Sequence, residues 1–191
     1  MKVIVVRHGE TYGNVSRVVE SRTHGRLTYY GMEQAQAAAY QLKDEPIDIV
    51  YCSNLQRCVD TALILADYHP LASLVPLHQL RERNLGDYEG KRWEEVPFED
   101  YEGEYLHQRM PGGESWHDVE RRVGVFLNEL YAKHPGETVL LVTHAGPVKA
   151  IQSLLGGVPL RESIEQYVGN GSTYYFMMQA PTRMSTEIEA L

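Results

Sequence analysis

Arg7-His8-Gly9 follows directly on Lys2-Val3-Ile4-Val5-Val6, and Thr143-His144-Ala145-Gly146 follows on Val139-Leu140-Leu141-Val142. Both apolar, β-branched runs read as strands buried on two faces. Each delivers a histidine and then a glycine. If the two strands are parallel neighbours, both imidazoles leave the sheet at its carboxyl edge, where open α/β sheets keep their ligands. Histidine there serves as a nucleophile or a base. An arginine beside it grips an anion with a planar fork, and Gly9 lets a ligand come close to the backbone.

Other stretches supply partners. The run Ile47 to Cys52 reads as a third strand, which delivers Ser53 and then Arg57 one turn into the following helix. Arg7 and Arg57 can clamp one phosphate or carboxylate between them. His144 precedes a helix N-terminus, whose unpaired N–H groups and dipole also favour an anion. Glu82, after a short strand, is placed to donate a proton. Two arginines, two histidines and one carboxylic acid suit phosphoryl transfer without a metal. The positive groups offset charge on the equatorial oxygens, and one histidine becomes a phosphohistidine. Cysteine chemistry does not fit. Only four residues separate Cys52 from Arg57, Cys52 falls inside a strand, and neither Cys52 nor Cys58 sits at zinc spacing. Both read as reduced, buried small hydrophobes.

The elements that must position these groups alternate. Thr28 is a cap for a helix over Gly31 to Leu42, after a loop from Asn14 to Leu27. Ser53 or Asn54 caps a helix over Leu55 to Ala66, and Leu74 to Leu77 is a short strand. Ser115 and Asp118 form a capping box for a long helix whose apolar face carries Val119, Val123, Phe126, Leu127 and Leu130. Pro147 suits the first position of a helix running to about Leu155. Ser172 to Met178 reads as a last central strand, and the tail from Arg183 as a short edge strand. Between residues 89 and 104 seven acids stand against only Lys91 and Arg92, and the surrounding segment reads as a small helical excursion, either a lid or a solvated acidic face with a few anchoring aromatics. The expectation is an α/β protein, one domain over residues 1–191, with a largely parallel sheet, helices on both faces and the excursion at about 88–114.

Composition narrows the function. The 191 residues are 43% hydrophobic and 23% charged, ordinary for a globular chain. The formal net charge of −8 argues against a nucleic-acid-binding face and requires any anion site to concentrate its positive charge locally. No apolar run approaches the ~20 residues of a membrane span. The first strand begins at Lys2, leaving no room for a leader, so a cytoplasmic location is expected.

The chain resembles the histidine phosphatase superfamily, the group that includes cofactor-dependent phosphoglycerate mutases. The matching residues are Arg7-His8-Gly9-Glu10-Thr11 with Asn14, Leu27-Thr28 with Gly31 and Gln34-Ala35, and Ser53 with Arg57, Thr61 and Ala62. They continue through Leu80 with Glu82, Gly86, Glu89 and Gly90 to Thr143-His144-Ala145-Gly146. The resemblance implies a phosphoglycerate mutase-like three-layer α/β/α sandwich. It implies His8 as the phosphorylated nucleophile, Arg7, Arg57 and His144 as the phosphoryl cradle, and Glu82 as the proton donor. Asn14 would contact the phosphate or substrate, and Thr11, Ser21 and Ala145 are further candidates for substrate contact. No metal or other cofactor is implied, and the partner is a small phosphorylated metabolite. Relatives often carry a small hydroxyl residue where Glu20 stands. A carboxylate would repel phosphate there, so the loop is expected to sit differently or point Glu20 away.

Pro111-Gly112-Gly113-Glu114-Ser115 resembles phosphatase branches such as α-ribazole phosphatase or the fructose-2,6-bisphosphatase group, and the chain as a whole resembles the α-ribazole and broad-specificity phosphatases. A 2,3-bisphosphoglycerate-dependent mutase is the nearest alternative, although mutases are usually longer and the acidic excursion disfavours a bisphosphorylated cofactor. A non-catalytic phospho-ligand-binding module is a third reading.

Overall fold

The computed structural model describes residues 1–97 and 105–182. Strands β1 (Lys2–Arg7), β2 (Ile49–Ser53), β3 (Ser73–Leu77), β4 (Thr138–Thr143) and β5 (Thr173–Met177) form one sheet in the order β3-β2-β4-β1-β5. The pairs β1–β4, β4–β2 and β2–β3 are parallel. Period-two side-chain alternation sends one set to each face. Val3, Val5, Tyr51, Val139 and Leu141 pack under α4 (Trp116–Lys133) and α5 (Ala145–Gly156). Ile4, Val6, Val50, Leu140 and Val142 pack under α2 (Tyr29–Leu42) and α3 (Gln56–Ala66). The result is the three-layer α/β/α arrangement that continuous apolar strands require.

Register places the two histidine strands as the sequence echo implies. Arg7 pairs with Thr143, and the His8 N–H donates to the Thr143 carbonyl at 2.9 Å. His8 and His144 therefore leave the sheet side by side. The Ser115–Asp118 capping box forms, and the Thr28 hydroxyl accepts from the Gly31 N–H. No helix among the described residues is long and apolar enough to cross a membrane.

Several expectations are corrected. The stretch from Asn14 is not purely loop, because Thr11 and Asn14 make a capping box that starts a short helix, α1 (Tyr12–Val15). Helix α3 has Leu55 at its N-cap and no side-chain cap, since the Ser53 hydroxyl is turned to His144 and Asn54 Oδ1 accepts from Arg81. Helix α5 begins at Ala145, so Pro147 stands third, where its missing N–H is still no loss. Strand β5 is an antiparallel edge strand among the described residues, not a central one. A helix absent from the sequence reading, α6 (Leu160–Glu165), precedes it. Gly171 then donates to the Arg7 carbonyl, so the chain already stands at the carboxyl end of β1 and must run back down. The excursion shows 3-10 turns at Gly86–Tyr88 and Trp93–Glu95 rather than a helix. Residues 98–104 of the excursion, and the edge strand expected from Arg183, lie outside the described residues.

Candidate active site

His8 is buried one residue beyond β1. Its Nδ1 lies 2.7 Å from its neighbour Gly9's carbonyl oxygen, which can only accept. That contact assigns the ring proton to Nδ1 and leaves the lone pair on Nε2. Burial, then the positive charges of Arg57 and Arg7, hold the ring's pKa well below its ordinary value. At neutral pH His8 is therefore uncharged, with a nucleophilic nitrogen available.

Arg57, at the second position of α3, is buried and heavily committed. Its Nε donates to His8 Nε2 at 3.2 Å. Its other nitrogens donate to the carbonyls of Glu20 and Thr23, each at 2.7 Å, and of His24 at 3.3 Å. Loop 20–24 thus contributes backbone, holding Arg57 as a rigid fork. The Glu20 carboxylate accepts from Thr11 Oγ1 at 2.6 Å and lies against Gly13, although Glu20 still borders the cavity.

Arg7 donates to the Val168 carbonyl through Nη1, while its buried Nε has no acceptor among the described residues. Burial lowers its pKa, with partial compensation from the Glu82 charge. His144 is fully buried at the N-cap of α5. Its Nε2 lies 2.8 Å from Ser53 Oγ and 3.3 Å from Cys58 Sγ. Burial first, then Arg57, lowers its pKa well below the usual imidazole value. The His8 and His144 ring centroids are 5.1 Å apart.

Glu82 sits opposite. Its Oε1 accepts from the Gly146 N–H at 2.9 Å and from the Arg83 N–H at 2.7 Å. Its Oε2 makes no hydrogen bond among the described residues. The glycines of the echoed motifs serve different ends. A Cβ on Gly146 would stand 2.3 Å from Glu82 Oε1, so the acid needs a glycine in order to reach the α5 N-terminus. A Cβ on Gly9 would stand 2.1 Å from the Gly31 carbonyl oxygen. The expectation that Gly9 admits a ligand is corrected: it admits the first turn of α2.

Arg7, His8, Asn14, Arg57, Glu82 and Ala145 line one cavity of about 100 Å³, with Ser21, Leu85 and Trp93 on its loop side. Asn14 also accepts from the Thr11 N–H and from Asn170 Nδ2, both at 3.1 Å. Ser21 is buried with its hydroxyl given to Glu89. The structure brings neither Thr11 nor His144 to the cavity: the Thr11 side chain is spent on Glu20 and the Asn14 N–H, and the fully buried His144 ring lies behind the wall with Nε2 turned to Ser53 Oγ.

Asn170 and Glu89 acquire roles the sequence reading did not assign. Asn170 Nδ2 donates to the His8 carbonyl at 3.1 Å, buttressing His8 from the β5 turn. Asn170-Gly171 has turn chemistry, but that signal says nothing of its neighbour in space. The Glu89 carboxylate collects the N–H groups of Ser21, Arg22 and Thr23, and so closes the loop that holds Arg57.

The family model described as "Histidine phosphatase superfamily (branch 1)" matches residues 3–183. A metal-independent phosphoserine phosphatase of Arabidopsis thaliana is 34% identical over 158 residues, 78% of this chain, which spans 66% of that relative's length. The solved structure of Bacillus stearothermophilus YhfR superposes with a TM-score of 0.84 at 26% identity, covering 100% of this chain and 98% of that one. The α-ribazole phosphatase of Shigella flexneri gives 0.80 at 27% identity, covering 96% and 95%.

Proposed function

This chain belongs to the histidine phosphatase superfamily, and we propose that within it the chain is a metal-independent phosphomonoester hydrolase acting on a small phosphorylated metabolite. The observation that carries this reading is the pairing of a neutral, tautomer-fixed His8 with Arg57 on the same nitrogen, in a cavity that also holds Arg7 and Glu82.

A phosphoryl group entering the cavity takes the Arg57 Nε–H from His8 and meets the free Nε–H of Arg7. His8 Nε2 attacks phosphorus, forming an N–P bond as the ester P–O bond breaks. The proton on Glu82 passes to the departing alkoxide, and the alcohol leaves. Glu82, now a carboxylate, takes a proton from water as the water oxygen attacks phosphorus. The N–P bond breaks, inorganic phosphate departs and His8 is neutral again. Arg7, Arg57 and the α5 N-terminus, where Ala145 lines the cavity, are fixed before reaction, so they stabilise the transferring group without reorganising.

The test is p-nitrophenyl phosphate hydrolysis with excess chelator, beside His8→Ala. Chelator-resistant turnover, lost in His8→Ala with an unchanged circular dichroism spectrum, is the expected result. An acid-labile, base-stable phosphoenzyme should be trapped in the wild type alone. Full activity in His8→Ala overturns the assignment. No hydrolysis, with 3-phosphoglycerate converted only when 2,3-bisphosphoglycerate is present, replaces it with a mutase.

A further inference from the structure

Beside the catalytic cavity lies a larger chamber of about 490 Å³, which shares Glu82, Leu85, Trp93 and Ala145 with it. The volume is that of a small-molecule site rather than of a phosphate alone. Beside Arg83, whose Nε donates to the Glu114 carbonyl at 3.0 Å, two further cations line the chamber, Lys149 of α5 and the exposed Arg161 of α6. The half-buried Lys149 ammonium donates to the Ile164 carbonyl at 2.5 Å and stands 5.8 Å from the Trp116 ring centroid. The Arg161 guanidinium lies 5.2 Å over the Tyr105 ring. Neither has a carboxylate partner among the described residues, whereas the arginines beside Glu114 and Asp118 are paired. Glu165, the chamber's other acid, is exposed at the end of α6. A half-buried ammonium is costly unless an anion completes it. Burial indeed lowers the Lys149 pKa, and the Glu82 charge opposes that only in part.

We infer that this chamber binds the alcohol portion of the substrate through a carboxylate held by Lys149 and Arg161, so that the preferred substrate class is a phosphorylated hydroxy acid. The inference rests on the phosphomonoesterase reading above. With the phosphoryl group on His8 and Arg57, the carboxylate points past Glu82 to the α5–α6 wall, and the carbon body lies against the Trp116 and Tyr105 rings. The chain's net negative charge makes this second cluster of cations a discriminating feature rather than a general attraction for anions.

The experiment compares 3-phosphoglycerate with glycerol 3-phosphate, which differ only in a carboxylate against a hydroxymethyl group. The readout is the ratio of their kcat/KM values within each protein, so an overall change in activity cancels. The wild type should prefer the acid at least tenfold. Lys149→Gln and Arg161→Gln should each lower the ratio severalfold, and the double variant should bring it near one. A wild-type ratio near one, or a ratio unmoved in the double variant, overturns the inference. Loss of p-nitrophenyl phosphate hydrolysis in the wild type instead would overturn the phosphomonoesterase reading itself.

Discussion

Removing the Glu89 carboxylate tests how the active site is held. Glu89 accepts from the N–H groups of Ser21 at 2.9 Å, Arg22 at 3.1 Å and Thr23 at 3.0 Å, and from the Ser21 hydroxyl. Glu89→Ala leaves the buried Ser21 donors without that acceptor, while water can replace it at the exposed Thr23. Hydrogen bonds to a charged group contribute ~1.5–3 kcal/mol each when buried and far less when exposed. Only the Ser21 pair counts fully, and both bonds end on one carboxylate, so the loss is about 2–3 kcal/mol rather than the sum over all contacts. For a chain of this size that lowers Tm by roughly 5–10 °C. The carbonyls of Glu20, Thr23 and His24 hold Arg57. If half the lost energy kept that fork in place, kcat/KM for p-nitrophenyl phosphate falls about tenfold. Burial pushes the Glu89 carboxyl pKa up, but the Ser21 and Thr23 hydrogen bonds outweigh it and hold the pKa below its ordinary value. Its contribution is therefore present above the ordinary carboxyl range and lost as pH falls through the lower folded value. Thermal melts at pH 7 and at acid pH should converge for wild type and Glu89→Ala at the acid end. A variant with the wild-type Tm refutes the loop energetics. A lowered Tm with unchanged kcat/KM refutes the link from the loop to Arg57.

Glu82→Gln should slow alkyl phosphates by two or more orders of magnitude more than p-nitrophenyl phosphate, whose leaving group needs no proton. Equal losses on both would remove Glu82 as the acid. Gly146→Ala, which drives a Cβ into Glu82 Oε1, should reproduce that selective loss in milder form, and selective loss of the aryl substrate would contradict the placement. His8 and His144 both have folded pKa values well below the unfolded one. The unfolded chain therefore takes up protons that the folded one refuses, and stability falls as pH drops below about 6.5, by roughly 1 kcal/mol per pH unit for each ring. Denaturant titrations should show a shallower fall for His8→Asn than for the wild type, and parallel curves would contradict a neutral buried His8.

The echoed strand-histidine-glycine motif was legible because strand periodicity and the carboxyl-edge rule are local statements, and β1–β4 register then brought the two rings together. The antiparallel direction of β5 was not legible. It depends on where α6 leaves the chain, and α6 is a six-residue helix with no side-chain cap to announce it. Gly9 was misassigned because a glycine shows that something approaches closely without showing what, and here it is backbone.

Glu20 shows most clearly what spacing alone cannot decide. A carboxylate near a phosphate cradle is repulsive in principle, and the sequence left only a conflict. The fold resolves it by dividing the residue. The side chain turns to Thr11 at the cap of α1, and the carbonyl of the same residue supports Arg57 from behind. The loop that looked least like the family is thus the one that aims the arginine. Because it acts through main-chain oxygens, substitutions along it should change Arg57 only when they move the backbone, as loss of the Glu89 anchor does. Substituting Glu20 itself should release Thr11 before it alters the fork.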